Sequence, residues 1–322
     1  MLAGAAIVLW GLGSLMAQSG RDKPLDPAAW GSDHVGKPLP DLVAGDECLF
    51  CHRLDVGPSW PKNRHNLTLR KADAEEPALA ALKKDPALRG EADKVTHLLG
   101  GTHRQRFLKS AEAYGKLELL SVAWLPGDKS GKLIDTERLR WDARTFAENC
   151  AGCHASGVDA KTHAFSAIAV ECYTCHGEVP EMHTKDTSLV HLSKKRREEA
   201  RIVMSICAQC HLRTGKSRSS GLPYANQFVA GDNLFRDFHV DLSLEKIQEQ
   251  NPADRHILDN VRQVAVLGKE EVTCLSCHAV HEQSSKKHHR VAWSETCLAC
   301  HNPTGPKRIR PAFEVHSRTC GY

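Results

Sequence analysis

The sequence predicts a mainly α chain with much irregular structure and little β, its interior filled in large part by something other than its own side chains. Three observations lead there. One short motif, C-x-x-C-H, recurs six times as CLFCH, CAGCH, CYTCH, CAQCH, CLSCH and CLACH. Aromatic residues make up only 6% of the 322 residues while charged ones make up 25%, a poor composition for an ordinary hydrophobic core of this length. Fifteen prolines and 23 glycines are spread along the chain, where they interrupt regular elements.

The motifs run Cys48–His52, Cys150–His154, Cys172–His176, Cys207–His211, Cys274–His278 and Cys297–His301. Two thiols three apart, followed at once by a histidine, read as a c-type haem attachment site. The thiols add across the two vinyl groups of haem and the adjacent imidazole coordinates the iron. Random placement of these residue types would give only about 0.03 such motifs in a chain of this length. The paired cysteines are Cys48 and Cys51, Cys150 and Cys153, Cys172 and Cys175, Cys207 and Cys210, Cys274 and Cys277, Cys297 and Cys300, which leaves only Cys320 over. That last thiol reads as an ordinary tail cysteine or as half of an intermolecular disulfide. Four-ligand zinc sites would have to pair the motifs and would leave surplus histidines at each, and disulfides give no reason for a histidine at the fifth place every time. Six haems would be served by roughly 54 residues each, near the lower limit for self-sufficient domains. A haem-packed core follows, and with it an apoprotein that folds poorly.

Residues 1–17, MLAGAAIVLWGLGSLMA, are apolar or small, and the first charge is Arg21. The length suits a signal peptide and falls short of a firm membrane span; a retained N-terminal anchor is the alternative, through which the chain would contact a membrane. Both place the body outside the cytoplasm, periplasmic or at the cell surface. Residues 18–45, with Pro24, Pro27, Pro38 and Pro40, read as an extended lead-in. Residues 46–322 then form the haem-binding domain, with 46–215 and 230–322 as its natural lobes. Glu75–Leu99 has helical character interrupted by Pro77 and Pro86, and LELLSVAWLPGD reads as a short strand closed by a turn. Ile202, Val203 and Ile206 fall on one face of a helix leading into the fourth motif, and Ile257, Val261 and Val264 mark a second helix over Asp254–Leu267. Lys194–Arg197 is followed by Glu198 and Glu199, a solvated face rather than an anion-docking patch. The formal charge of +4 gives no basis for nucleic-acid binding.

Each motif supplies one proximal iron ligand: His52, His154, His176, His211, His278 and His301. Methionine is the usual competitor for the sixth position, but outside the leader only Met182 and Met204 remain. Most irons must therefore be bis-histidine, which implies low reduction potentials. Thirteen surplus histidines compete for the distal places, with His65, His183, His256, His281, His289 and His316 as the candidates. His281 follows His278 by three residues, about one turn along the same side, so it cannot easily reach the far face of its own haem. If it binds iron, that iron belongs to a neighbouring haem. The HH of KKHHR supplies His288 and His289, of which one at most is expected to ligate.

At these residues the chain resembles the multihaem cytochrome c family typified by the tetrahaem electron carriers of ammonia oxidisers. The resemblance rests on CHRLDVGPSWPKNRH, VECYTCHGEVPEMH and VTCLSCHAVH, with further likeness in GGTHRQRFLK and the approach from Trp141 to Cys150. It implies distal-ligand roles for His65, His183 and His281. The chain departs from that family in having six motifs rather than four. It also lacks the C-x-x-C-K of pentahaem nitrite reductases, and has six motifs where the hydroxylamine oxidoreductases carry eight haems.

An extracytoplasmic electron carrier with six covalent haems is the function these features imply, its partners being redox proteins, a membrane quinol-linked complex or like subunits. No separate catalytic constellation stands out. Two rivals remain open on sequence. One is a reductase or oxidase of a small nitrogen or sulfur compound at a five-coordinate haem. The other is a haem-stacking subunit of a filament or membrane complex, in which His34 or His316 would reach a neighbouring subunit.

Overall fold

The computed structural model describes residues 33–42, 45–101, 103–127, 131–159 and 161–281. The sixth motif, His288, His289, His316, Cys320 and the apolar leader lie outside them.

The largest element is a sheet, which corrects the expectation of a mainly α chain with little β. Strands β1 (Leu69–Lys71), β2 (His97–Gly100), β3 (Gln105–Ser110), β4 (Leu117–Leu125) and β5 (Lys132–Ile134) pair antiparallel in that order, and β6 (Trp141–Asp142) joins β4. With 34% of residues in helix and 15% in strand, the chain mixes the two. The physical reason is visible in β4. Leu120, Val122 and Trp124 enter one apolar cluster, whereas Leu117 and Leu119 enter another on the opposite face. A strand buried on both faces loses the polar alternation that marks half-buried strands and reads as a plain apolar run. Leu98 and Leu99 show the same effect. They were expected in a helix and lie in β2, one in each cluster.

Helices α1 (Gly45–Cys51), α2 (Pro77–Lys84) and α3 (Arg89–Ala92) come before β2. Pro77 opens α2 rather than breaking a longer helix, as suits a residue without an N–H to satisfy. Helices α2 and α3 cover the Leu120 face of the sheet through Leu79, Leu82, Leu88 and Ala92. The other face receives α4 (Ala143–Asn149) and α5 (Ala151–His154) through Phe146 and Ala151, and α5 is the second motif. The sheet thus positions a candidate site.

After α6 (Cys172–His176) comes α7 (Ala200–His211), whose Val203 and Ile206 are buried as its spacing predicts. Its Met204 and Ala208 share a third cluster with Phe235, Phe238, Ile247 of α8 (Leu244–Gln248) and Leu258, Val261 and Val264 of α9 (Pro252–Ala265). Asn251 caps α9 by accepting from the amides of Ala253 and Asp254. Helix α10 (Cys274–Cys277) packs on this cluster through Cys274. Among the described residues, no helix is long and apolar enough to cross a membrane.

Candidate haem-binding centre

Every described motif forms a turn of helix. The His52 amide bonds back to the Cys48 carbonyl at 2.9 Å, His154 to Cys150 at 3.1 Å and His278 to Cys274 at 3.0 Å. Motif three is α6 itself, and motif four is the last turn of α7. Cysteines three apart on a helix share a face, so the two thiols of a motif lie on one side with the histidine at the end of the turn.

The motifs touch one another through these thiols. Helices α1 and α6, α5 and α7, and α10 and α7 pack together, and the thiols of Cys48 and Cys172, Cys153 and Cys210, and Cys207 and Cys274 act on one another's pKa. Motif one therefore meets three, two meets four, and four meets five. The neighbouring thiol, and then burial, raises the thiols of Cys172, Cys207 and Cys210, while burial alone pushes Cys175 up to about 11. All ten described cysteines are free. Motifs two and three have a second link, since Ser156 Oγ lies 2.8 Å from Thr174 Oγ1 and accepts from the Glu171 amide at 2.9 Å.

Two pairs of imidazoles lie close together, His65 edge-on to His211 and His176 tilted against His281. The rings of His65 and His211 have centroids 6.2 Å apart, and those of His176 and His281 are 5.8 Å apart. Two imidazoles on opposite sides of one metal, with bonds of about 2 Å and about 1 Å more from each nitrogen to its ring centre, have centroids about 6 Å apart. Burial first of all lowers the pKa of His154, His176, His211 and His281, keeping these rings in the neutral form that binds metal. Among the described residues, no three His, Cys, Asp or Glu side chains gather as a metal-ion site. Paired imidazoles beside paired thiols fit a flat macrocycle that supplies the remaining four iron ligands.

Three motif histidines have a defined Nδ1 partner. His52 Nδ1 lies 3.1 Å from Asp55 Oδ2. His176 Nδ1 donates to the His191 carbonyl at 2.6 Å, and His154 Nδ1 pairs with the Thr68 hydroxyl. Such contacts orient a ligating ring and set its basicity. His191 itself is held by Glu198 at 3.0 Å.

One stretch joins most of these parts. From Ser59 to Thr68 the chain bonds to the His281 carbonyl (Ser59, 2.6 Å) and to the Val280 carbonyl (Asn63, 2.6 Å). It also stacks Trp60 edge-on to His281, sets His65 opposite His211 and places Thr68 against His154. These ten residues thus contact the surroundings of motifs two, four and five.

Of the remaining expected ligands, His183 sits on a 3-10 turn, Glu181–Thr184, with Nδ1 donating to Pro180 O at 2.8 Å. His256 is on the exposed side of α9, beside Asn260. His34 is pinned to the buried Asp232 through Nδ1, 2.7 and 2.9 Å from its two oxygens. Sequence reading missed Asp55, Asn63 and Thr68. Asp55 carried a signal, three residues beyond His52, but nothing in the sequence connects Thr68 with a histidine 86 positions on.

Neither a family model nor a curated protein matches the chain. Among solved structures it is similar to an undecaheme cytochrome from the S-layer of Carboxydothermus ferrireducens, with 17% identity and a TM-score of 0.44, over 84% of this chain and 44% of that one. The chain therefore spans less than half the length of that cytochrome. The likeness is one of partial outline, and the motifs themselves carry the functional reading.

Proposed function

We propose that this chain is an extracytoplasmic multihaem c-type cytochrome that carries electrons through six covalently bound haems, most of them held by two histidines. The observation that carries this is the sixfold C-x-x-C-H motif, whose described copies each form a helical turn and meet in contacting pairs. In this reading His65 is the distal ligand at motif four and His281 at motif three; their ring separations from His211 and His176 support both roles. His281 then serves a haem other than its own, which ties motif five to motif three.

The haem supplies a reversible one-electron iron couple. The chain's own groups do the rest. Cysteines would tether it, the paired imidazoles of His65 with His211 and His176 with His281 would hold the iron, and the Ser59–Thr68 stretch fixes these sites relative to one another. Redox proteins, a quinol-linked membrane complex or like subunits are the partners such a conduit would serve.

Whole-protein mass tests the foundation. Six haem increments are expected, and a haem-free, zinc-loaded or disulfide-linked protein refutes the proposal. Electron paramagnetic resonance of the oxidised protein tests the transfer role. Wholly low-spin ferric signals are expected, and a stoichiometric high-spin signal would assign one haem to catalysis.

A further inference from the structure

We propose that the protein grades the potentials of three haems through the groups its proximal histidines donate to and the charges around them, with motif one lowest, motif three next and motif two highest. The inference rests on the haem reading above and goes beyond it by giving the conduit a direction.

The first argument is the acceptor at each Nδ1. A stronger acceptor leaves more negative charge on the ring, makes it a more basic ligand and stabilises ferric over ferrous iron. Motif one offers a carboxylate (Asp55, 3.1 Å from His52), motif three a carbonyl (His191 O, 2.6 Å from His176) and motif two a hydroxyl (Thr68, at His154). The carboxylate is the strongest of the three acceptors, and at motif two the Thr68 backbone joins the hydroxyl in pairing with His154.

The second argument is the local field, and it runs the same way. Asp46 and Glu47 lie on α1 beside Cys48, Glu47 acts on that thiol, and Glu171 acts both on it and on Cys172 of motif three. Negative charge there favours the ferric state. At motif two a positive charge is at hand: Arg106 of β3, half-buried, acts on Cys150 and favours the ferrous state. Solvent is the third argument. Cys51 is exposed, His52 is half exposed, and Phe50 and Leu54 around them are 80% and 85% exposed, so water reaches motif one and stabilises its ferric charge.

The order of potentials follows a continuous line of contacts. Cys48 meets Cys172, joining motif one to three, and Thr174 meets Ser156, joining three to two. Each downhill step moves one electron. The iron nearer motif one is oxidised as the next is reduced, and no proton or bond changes. The exposed motif-one face is then where a one-electron donor, such as a reduced redox protein, loads the chain.

Potentiometry of the haem-loaded full chain tests this with variants aimed at opposite ends. Asp55→Asn should raise only the low-potential limb. Because both partners are partly exposed, the effect is expected at roughly threefold to tenfold in the equilibrium constant, or roughly 30 to 60 mV for one electron. Arg106→Gln should lower only the high-potential limb. Asp55→Glu and Arg106→Lys, which keep the charges, should restore the respective limbs, a rescue that a purely structural role would not give. The gradient is overturned if Asp55→Asn leaves the low limb in place or shifts the whole curve, or if Arg106→Gln moves the low limb. A chain whose mass lacks six haem increments rejects the haem reading instead, so the two failures are distinguishable.

Discussion

Motif two alone among the six has a glycine between its cysteines, and the fold explains why. A Cβ placed on Gly152 would lie 2.1 Å from Cγ and Cδ2 of Tyr224 and 2.7 Å from its Cβ. These atoms are the root of the side chain, so no rotation of a flexible tip relieves the clash. Tyr224 is itself buried, and its hydroxyl donates to the Ala147 carbonyl at 2.6 Å. Gly152→Ala must therefore push the ring aside, at about 1–3 kcal/mol for overpacking, and weaken a bond of about 1 kcal/mol. Alanine's better helix propensity returns about 0.5–1 kcal/mol. The expected net loss is roughly 2 kcal/mol, read as a lower urea midpoint with unchanged slope by far-ultraviolet circular dichroism. Coupling gives the sharper test. Gly152→Ala should cost much less in a Tyr224→Ala background, with an interaction term of about 1–2 kcal/mol. A G152A protein as stable as the parent, or costs that simply add in the double variant, would refute the reasoning.

Three further outcomes are expected. Phe235→Ala empties a fully buried position in the cluster beneath motifs four and five and should lower stability by about 3–5 kcal/mol in the same urea measurement. Glu91 accepts from Trp141 Nε1 at 2.6 Å and from Lys94 at 2.9 Å, and these two contacts, in that order, hold its carboxyl below the usual range. Its contribution is therefore complete above the unfolded-state pKa of about 4.3 and is lost as pH falls through the lower folded value. Glu91→Gln should thus be destabilising at pH 7 and converge with the parent in strong acid, as urea midpoints against pH would record. His65→Ala and His281→Ala should each convert one ferric haem from low-spin to high-spin in electron paramagnetic resonance, and two such signals should appear in the double variant.

What was legible in the sequence was local. The helix leading into motif four and the one over α9 show their apolar residues at helical spacing, and the structure buries Val203, Ile206, Val261 and Val264 there. The nine-residue strand β4 was recognised as a strand, but its three partners, β3, β5 and β6, were not. Short segments such as His97–Gly100 and Lys132–Ile134 carry too few residues for a period to appear, and their pairing partners are set by tertiary contact. At the candidate centre, the cysteines and proximal histidines follow from the motif itself. Which motif meets which does not, because thiol contacts such as Cys48 with Cys172 span more than a hundred residues and leave no mark on local composition.

The sheet and the candidate centre form one construction. Strand β1 starts at Leu69, directly after Thr68, and Leu69 is fully buried between β2 and the helices that carry motif two. Fixing β1 therefore fixes the hydroxyl that meets His154 and, three residues earlier, the ring that faces His211. At its other end the Ser59–Thr68 stretch is held by Ser59 and by the buried Asn63, whose bonds go to the backbone just beyond motif five. Neither anchor is a candidate ligand, yet both determine where the candidate ligands sit. A chain with few aromatic residues cannot rely on a large core for that precision. It instead uses a small sheet, covered on both faces, to hold one end of a ten-residue strap and hydrogen bonds to hold the other.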